Sequence, residues 1–394
     1  MAYQYTITEL EKIFKNTVIK PRFRFSMLNP DETVAYIFPE EDIAIENTTY
    51  NEQYQNGVRR TMTLGLINVD RKYIPNINGV WANSRISFEA GIERPNGEVL
   101  WFPAGVYVVT SVDLTHEGAE QLVTLNLSDK FAIWEGKMGT LEGVYEIPVN
   151  SLCRNVIKEI LTLDNGSGTP LDTQTIFLDE TMYDIKTPYT ITKEAGSSFG
   201  EILQDLAVIM NAEMFYDIEG HLTFLRIDDT IDDLNKPILW IYKDTETEYG
   251  GQTLNLNFDE VVNEVHVIGT NINSKIYSAM SVNNNPASVI CTQRIGRRIM
   301  VMEDTNINSD ELARERADYE LRLKSILTTS VNIHSSYLPF LTVNNLVQIQ
   351  DSYYNWKREN FIIQSISYSL NSPDMTVQLA NMNNLPTFTG KIGG

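Results

Sequence analysis

Residues 197–227 read SSFGEILQDLAVIMNAEMFYDIEGHLTFLRI. Ser198 and Glu201 stand three apart, the spacing of a capping box, in which the hydroxyl accepts from first-turn amides and the carboxylate reaches back to the cap amide. Behind that cap, Phe199, Ile202, Leu203, Leu206, Ile209 and Met210 fall on one apolar stripe. The helical period stops near Asn211, Ala212 to Tyr216 can extend as a strand, Asp217-Ile218-Glu219-Gly220 turns, and Leu222 and Phe224 return beside it. The stretch predicts a helix packed on a hairpin, and with it an α+β fold.

Toward the N-terminus the pattern is β-rich. FPAGVYVVTSVDL, Phe102 to Leu114, alternates from Val106 and predicts Val106, Val108, Thr110 and Val112 on one face. After a loop containing Gly118, QLVTLNLSDK puts Val123, Leu125 and Leu127 on one face and Thr124, Asn126 and Ser128 on the other, completing a hairpin. Upstream, Trp81, Ile86, Phe88 and Ile92 lie amid polar residues before the Pro95-Asn96-Gly97 turn. From about Pro148 the period changes: Leu152, Val156, Ile157, Ile160 and Leu161 predict a short helix capped by Asn150 or Ser151.

Toward the C-terminus, VVNEVHVIGT alternates as a strand. SDELARERADYELRLKS predicts a helix capped by Asn308 or Ser309, with Glu311, Glu315, Arg314 and Arg322 on a solvated face. FIIQSISYSLNSPDMTVQLANM closes the β pattern as a hairpin about Asn371 to Asp374. Two β-rich regions, each ending in a hairpin, form a faint internal repeat.

The 394 residues suggest roughly two to four domains. With 52 acidic against 31 basic residues and a net charge of −21, the chain is unsuited to clamping nucleic-acid phosphates. Cys153 and Cys291 form no C-x-x-C pair, so free thiols are expected. No segment reaches 18 uninterrupted apolar residues and the N-terminus lacks an apolar signal run, which predicts synthesis in the cytoplasm and no membrane insertion.

Gly196-Ser197-Ser198-Phe199-Gly200 fits G-x-S-x-G, the nucleophile elbow of α/β-hydrolases, and His221, His266 and His334 follow it. The alternating strand and helix units of a parallel sheet are absent, and Ser198 has a sufficient role as helix cap, so the cap reading is preferred over a Ser198 hydrolase. Asp228, Asp229, Asp232 and Asp233 lack the EF-hand spacing and read as a solvated turn. The histidines show no metal-ligand pairing, and no phosphate-cradling glycine motif is present. No catalytic, cofactor-binding or metal-binding residue is therefore assigned. A carbohydrate-binding module would need Trp81, Trp101, Trp134, Trp240 or Trp356 to line a groove, and their alternating context points to packing for most of them.

FPAGVYVV, VTLNLSDKF, FGEILQDLAVIMNAEMFYDIEGHLTF, VVNEVHVIG, ELARERADYELRLKS, LPFLTVNNLVQI and FIIQSISYSLNSPDMTVQL occur in an order that resembles the baseplate hub or tail-associated proteins of tailed bacteriophages, also called phage tail proteins or gpD-like proteins. The resemblance implies a homotrimer whose subunits each carry two tail-tube-like β-barrel domains with peripheral α+β lobes, adapting a hexameric tail tube to a threefold tip. On that reading residues 1–140 form the first tube-like domain. Residues 196–234 and 325–385 form a discontinuous second one, 141–195 and 235–324 form the lobes, and 386–394 a flexible tail. The implied partners are the distal tail or tail-tube protein, tip, fibre or spike proteins and the tape-measure protein. The implied place is the virion tail tip, around a channel for DNA or tape-measure passage. The chain departs from many relatives in ending at TFTGKIGG, which assigns wall degradation and receptor binding to other polypeptides, and in carrying Asn344-Asn345-Leu346 where relatives often have Gly-Asp.

Overall fold

Alternating apolar residues drive the first third of the chain into strands. The computed structural model describes residues 7–14, 20–69, 71–75, 80, 82, 84–117, 120–164, 166, 168–226, 236–246, 249–256, 259, 261–269, 275–327 and 329–382. Helix α1 (Ile7–Phe14) precedes β1 (Lys20–Leu28), β2 (Val34–Ile37), β3 (Thr49–Gln53), β4 (Arg60–Ile67), β5 (Arg85–Glu93), β6 (Val99–Glu117) and β7 (Glu120–Asp129). These strands lie in the order β3-β4-β7-β6-β5-β1-β2 and pair antiparallel.

Pro103-Ala104-Gly105 sits inside β6 rather than at its start. Phe88 pairs with Gly105 and Glu89 with Pro103, so Ala104 is the extra residue of a bulge. Gly105 has φ +134°, and a Cβ there would lie 2.8 Å from the Tyr107 ring, which leaves room only for glycine. A second register shift, between Val109 and Ser111, separates residues expected to share a face. Val108 packs into the core of an adjoining lobe, whereas Val112 packs against the core beneath the main sheet.

That lobe contains α2 (Phe131–Glu135), β8 (Tyr145–Ile147), α3 (Cys153–Leu161), β9 (Phe177–Leu178), β10 (Ile191–Lys193), α4 (Phe199–Ile209), β11 (Ala212–Tyr216) and β12 (Leu222–Arg226). Helix α4 and the β11–β12 hairpin form as the sequence predicts. The cap of α3 differs: Leu152 is the N-cap, with no side-chain hydrogen bond. Leu152 is tied to Lys186 by a β-bridge and the Ser151 hydroxyl donates to the Pro148 carbonyl at 2.7 Å, so the tertiary pairing sets where the helix begins.

Next come β13 (Ile238–Lys243) and β14 (Tyr249–Leu256), two strands the sequence pattern did not announce. A second lobe follows, with β15 (Glu264–Gly269), β16 (Ser278–Val282), α5 (Thr292–Ile295), β17 (Ile299–Asp304) and α6 (Asp310–Leu327). Its sheet has the order β16-β15-β17 and packs Val265 and Val267 against Ala313, Ala317 and Leu321 of α6. Ser309 accepts the Leu312 amide at 3.0 Å, as an N-cap should. Glu315 and Arg322, expected on a solvated face, are instead buried, because that side of α6 turns toward the rest of the molecule.

The chain ends in β18 (Thr329–Ser336), β19 (Leu346–Asp351), β20 (Trp356–Ser369) and β21 (Asp374–Asn381). Strand β20 decides the architecture. On one side it pairs with β21; on the other, its first half takes β19 and its second half takes β3, Ser365 opposite Gln53 through Ser369 opposite Thr49. Its free edge is thus filled by a strand of the N-terminal region. The result is one 13-stranded sheet running from β2 to β14, with β13 joined through β19.

Two closed barrels are expected from the sequence resemblance; among the described residues the strand path is open and no barrel closes. One apolar core serves both β regions, from Phe25, Tyr50 and Phe88 to Val331, Ile333 and Phe361. The helix and hairpin from Phe199 to Arg226, grouped in the sequence reading with the C-terminal strands, share a core with Trp134, Ile157 and Ile191, because the apolar face of α4 is buried there.

Candidate assembly junction

Where the first lobe meets the main sheet, side chains that usually face water are buried together. Arg59 and Arg60 are neighbours at the start of β4, so their side chains leave on opposite faces. Arg60 pairs with Glu52 at 2.5 Å and donates to the Tyr216 carbonyl at 2.9 Å. Arg59 pairs with Glu213 of β11 at 3.3 Å and lies 3.6 Å over the Phe215 ring. Glu213 also accepts from the Tyr319 hydroxyl of α6 at 3.0 Å and from Tyr54. One carboxylate therefore ties the main sheet, the first lobe and the last helix.

A second set lies beside it. Lys130, fully buried, reaches Glu32 at 2.5 Å, Asp172 at 2.7 Å and the Gly220 carbonyl at 2.9 Å. The Tyr216 hydroxyl donates to Asp172 at 2.7 Å and accepts from the Trp134 indole at 2.8 Å. Arg85 joins Glu32 at 3.1 Å and donates to the carbonyls of Pro30 and Leu171.

Burial sets the protonation of this junction. It pushes the Asp129 carboxyl up to about 6, although the amides of Arg59 and Arg60 pull the other way. Those amides donate to Asp129 at 2.7 and 3.0 Å, and Phe131 donates at 3.1 Å. Burial pulls against the Arg60 charge, but Glu52, Tyr50, Tyr107 and Asp129 together outweigh it, so the guanidinium pKa stands above its ordinary value. Burial and then Asp172 hold the Tyr216 phenol well above its usual range. A junction of paired charges shut away from solvent can fasten elements in fixed geometry; it presents no accessible acid or base to a substrate.

Residues weighed from sequence fall elsewhere. The Ser198 hydroxyl accepts the Glu201 amide at 3.2 Å and Glu201 returns to the Ser198 amide at 3.4 Å, the predicted capping box. The candidate bases are engaged in other places: His221 beside Asp217, His266 with Glu264 at 2.5 Å and His334 with Thr376 at 3.5 Å. Trp134 and Trp240 are buried, Trp101 stacks under Arg24 at 4.4 Å, and Trp356 stacks on Tyr354 at 4.8 Å. Trp81, Asp228, Asp229, Asp232 and Asp233 lie outside the described residues. Cys153 and Cys291 are buried free thiols, as expected.

The junction residues were not singled out by sequence reasoning. Glu213 offered a signal, an acid within the otherwise apolar strand AEMFY, but its partner Arg59 lies 154 positions away.

Comparison with solved structures relates the whole architecture to known ones. The tail protein of Neisseria meningitidis superposes with a TM-score of 0.60 at 9% identity, over 92% of this chain and 98% of that one. The fold is that of phage tail proteins. The 43 kDa tail protein of prophage MuSo2 from Shewanella oneidensis shares it, with a TM-score of 0.56 at 13% identity over 93% of this chain and 100% of its own. A Francisella PdpA–VgrG complex matches with a TM-score of 0.53 at 13% identity, over 98% of this chain and 62% of the matched one. A family model described as a domain of unknown function (DUF5048) matches residues 285–387 of this tail-protein fold. No curated protein matches the sequence.

Proposed function

We propose that this chain is a structural, non-enzymatic protein of a phage tail or phage-derived injection particle. In this reading it forms a homotrimeric hub at the tail tip, with duplicated β regions matching six tube subunits on one face and three tip components on the other. The observation that carries the reading is the end-to-end match: tail proteins from two organisms are covered over 98% and 100% of their length by more than nine-tenths of this chain. The match to a VgrG complex supports partners among tail-tube and spike proteins. The acidic excess suits a lumen through which DNA or a tape-measure protein passes without sticking. The division into 1–140, 196–234 with 325–385, and lobes at 141–195 and 235–324 belongs to the same proposal; the tail at 386–394 lies outside the described residues.

Light scattering on a sizing column tests it, followed by imaging of the particle. A mass three times that of the chain, in a ring with threefold symmetry, is the expected result. A stable monomer whose Ser198 reacts with a serine-directed phosphonate would overturn it in favour of a hydrolase.

A further inference from the structure

The tip of the β11–β12 hairpin carries Asp217, Glu219 and His221 at alternate positions of one tight turn. Asp217 Oδ1 accepts the amides of Glu219 and His221, each at 2.9 Å, which fixes the turn and commits that oxygen. The other oxygen, Oδ2, is buried and has no hydrogen-bond partner, in a residue only 4% exposed. His221 Nδ1 is also buried without a hydrogen bond. It stands 3.4 Å from Asp217 Oδ2 and 4.0 Å from Glu219 Oε2, and one ligand atom from each residue falls within 4.8 Å of the others. The edge of Phe177 packs against the imidazole at 4.7 Å between ring centroids, which restrains its rotation.

A buried acceptor left unmatched costs about 1–3 kcal/mol. A cation between Oδ2 and Nδ1 would satisfy both atoms at once. Tetrahedral Zn²⁺, with bonds of about 2.0–2.2 Å, holds its ligand atoms about 3.3–3.6 Å apart. The Asp217–His221 separation is already at that value, and the half-exposed Glu219 can close its longer gap by side-chain rotation. One imidazole with two carboxylates suits a borderline divalent ion better than Mg²⁺ or a thiolate-seeking metal.

The nearby positive charges are already matched. Lys130, on the Gly220 carbonyl, pairs with Glu32 and Asp172, and Arg60, on the Tyr216 carbonyl, pairs with Glu52. Asp217 and Glu219, though not His221, line a cleft of about 640 Å³ between the hairpin and the main sheet.

We propose that Asp217 Oδ2, His221 Nδ1 and a Glu219 carboxylate oxygen bind one divalent transition-metal ion, with Zn²⁺ the best fit and water completing the tetrahedron. The tip abuts β6, since a Cβ on Gly220 would lie 2.9 Å from Val106 Cγ2. The ion therefore braces the β11–β12 turn itself, beside the Gly220 carbonyl that Lys130 holds, and stiffens the tip that packs on β6.

The test uses the full chain, stripped with EDTA, desalted and titrated with Co²⁺ followed optically, then with Zn²⁺ in competition. One equivalent is expected to bind, with affinity at least tenfold lower in His221→Ala and lowered to a smaller extent in Glu219→Gln. Zn²⁺ should raise the melting temperature of the wild type and not of His221→Ala. Circular dichroism verifies that each variant is folded, and the exposed Glu219→Gln keeps the test open should His221→Ala fail to fold. Absence of stoichiometric binding, or binding unchanged in the folded variants, overturns the proposal.

Discussion

The two lobes flanking the main sheet are built differently, although both meet at Glu213, which Tyr319 of α6 reaches from the second. The first, α2 through β12, has a large apolar core and is stitched to the sheet by buried charges: Arg59 to Glu213, Arg60 to the Tyr216 carbonyl, Lys130 to Asp172. The second, β15 through α6, has a core of six buried apolar residues, and the outer face of its sheet leaves Met280, Ile299 and Val301 exposed. Its most prominent ion pair, Glu264 with Arg297 at 2.5 Å, has the arginine in solvent. The contrast teaches that adjoining a common sheet does not equalise two lobes. A fully desolvated ion pair demands fixed geometry from both sides, whereas a half-exposed one tolerates change.

The sharpest way to break this contrast is Glu213→Ala. It strands Arg59, Tyr54 and Tyr319 without their shared acceptor, and should cost about 3–5 kcal/mol in thermal or denaturant unfolding. An unchanged melting curve would show that the junction is not the fastening described.

The pH response should differ in sign between the two regions. Asp129 has its folded pKa raised to about 6, so its contribution is fully present below the ordinary 3.8 and is lost as pH rises through about 6, roughly 3 kcal/mol in all. Glu264 has its folded pKa lowered to about 2, first by its hydrogen bond from Arg297. Its contribution is present above the ordinary 4.5 and is lost as pH falls toward 2. Calorimetry of Asp129→Asn and Glu264→Gln from pH 2 to 7 measures both slopes. Equal slopes would remove the distinction.

Within the second lobe, Val265→Ala should cost about 1–2 kcal/mol, read most directly as faster hydrogen exchange in β15 and α6. Exchange that rises equally in α4 would show that the lobes open together. The smallest effect belongs to Ser198→Ala, about 1 kcal/mol from loss of the α4 cap. Phosphonate labelling lost with this change would instead mark Ser198 as a nucleophile.

Sequence alone determined the local elements whose apolar period and caps agree: α4 with its Ser198–Glu201 box, the β11–β12 hairpin, α6 with Ser309, and the β6–β7 and β20–β21 hairpins. These signals lie within a few residues of one another, so they can be read without knowing what packs against them. Four outcomes belonged to the tertiary structure. The bulges at Ala104 and near Thr110 redistribute the faces of β6, and Leu152 rather than Asn150 or Ser151 starts α3. The β3–β20 pairing merges two β regions into one open sheet in place of two closed barrels. The junction is the extreme case, since neither Arg59 nor Glu213 carries any mark of the other across 154 positions. Hydrophobic period is a property of neighbours along the chain, whereas the partner of a buried charge is chosen only when distant segments are brought together.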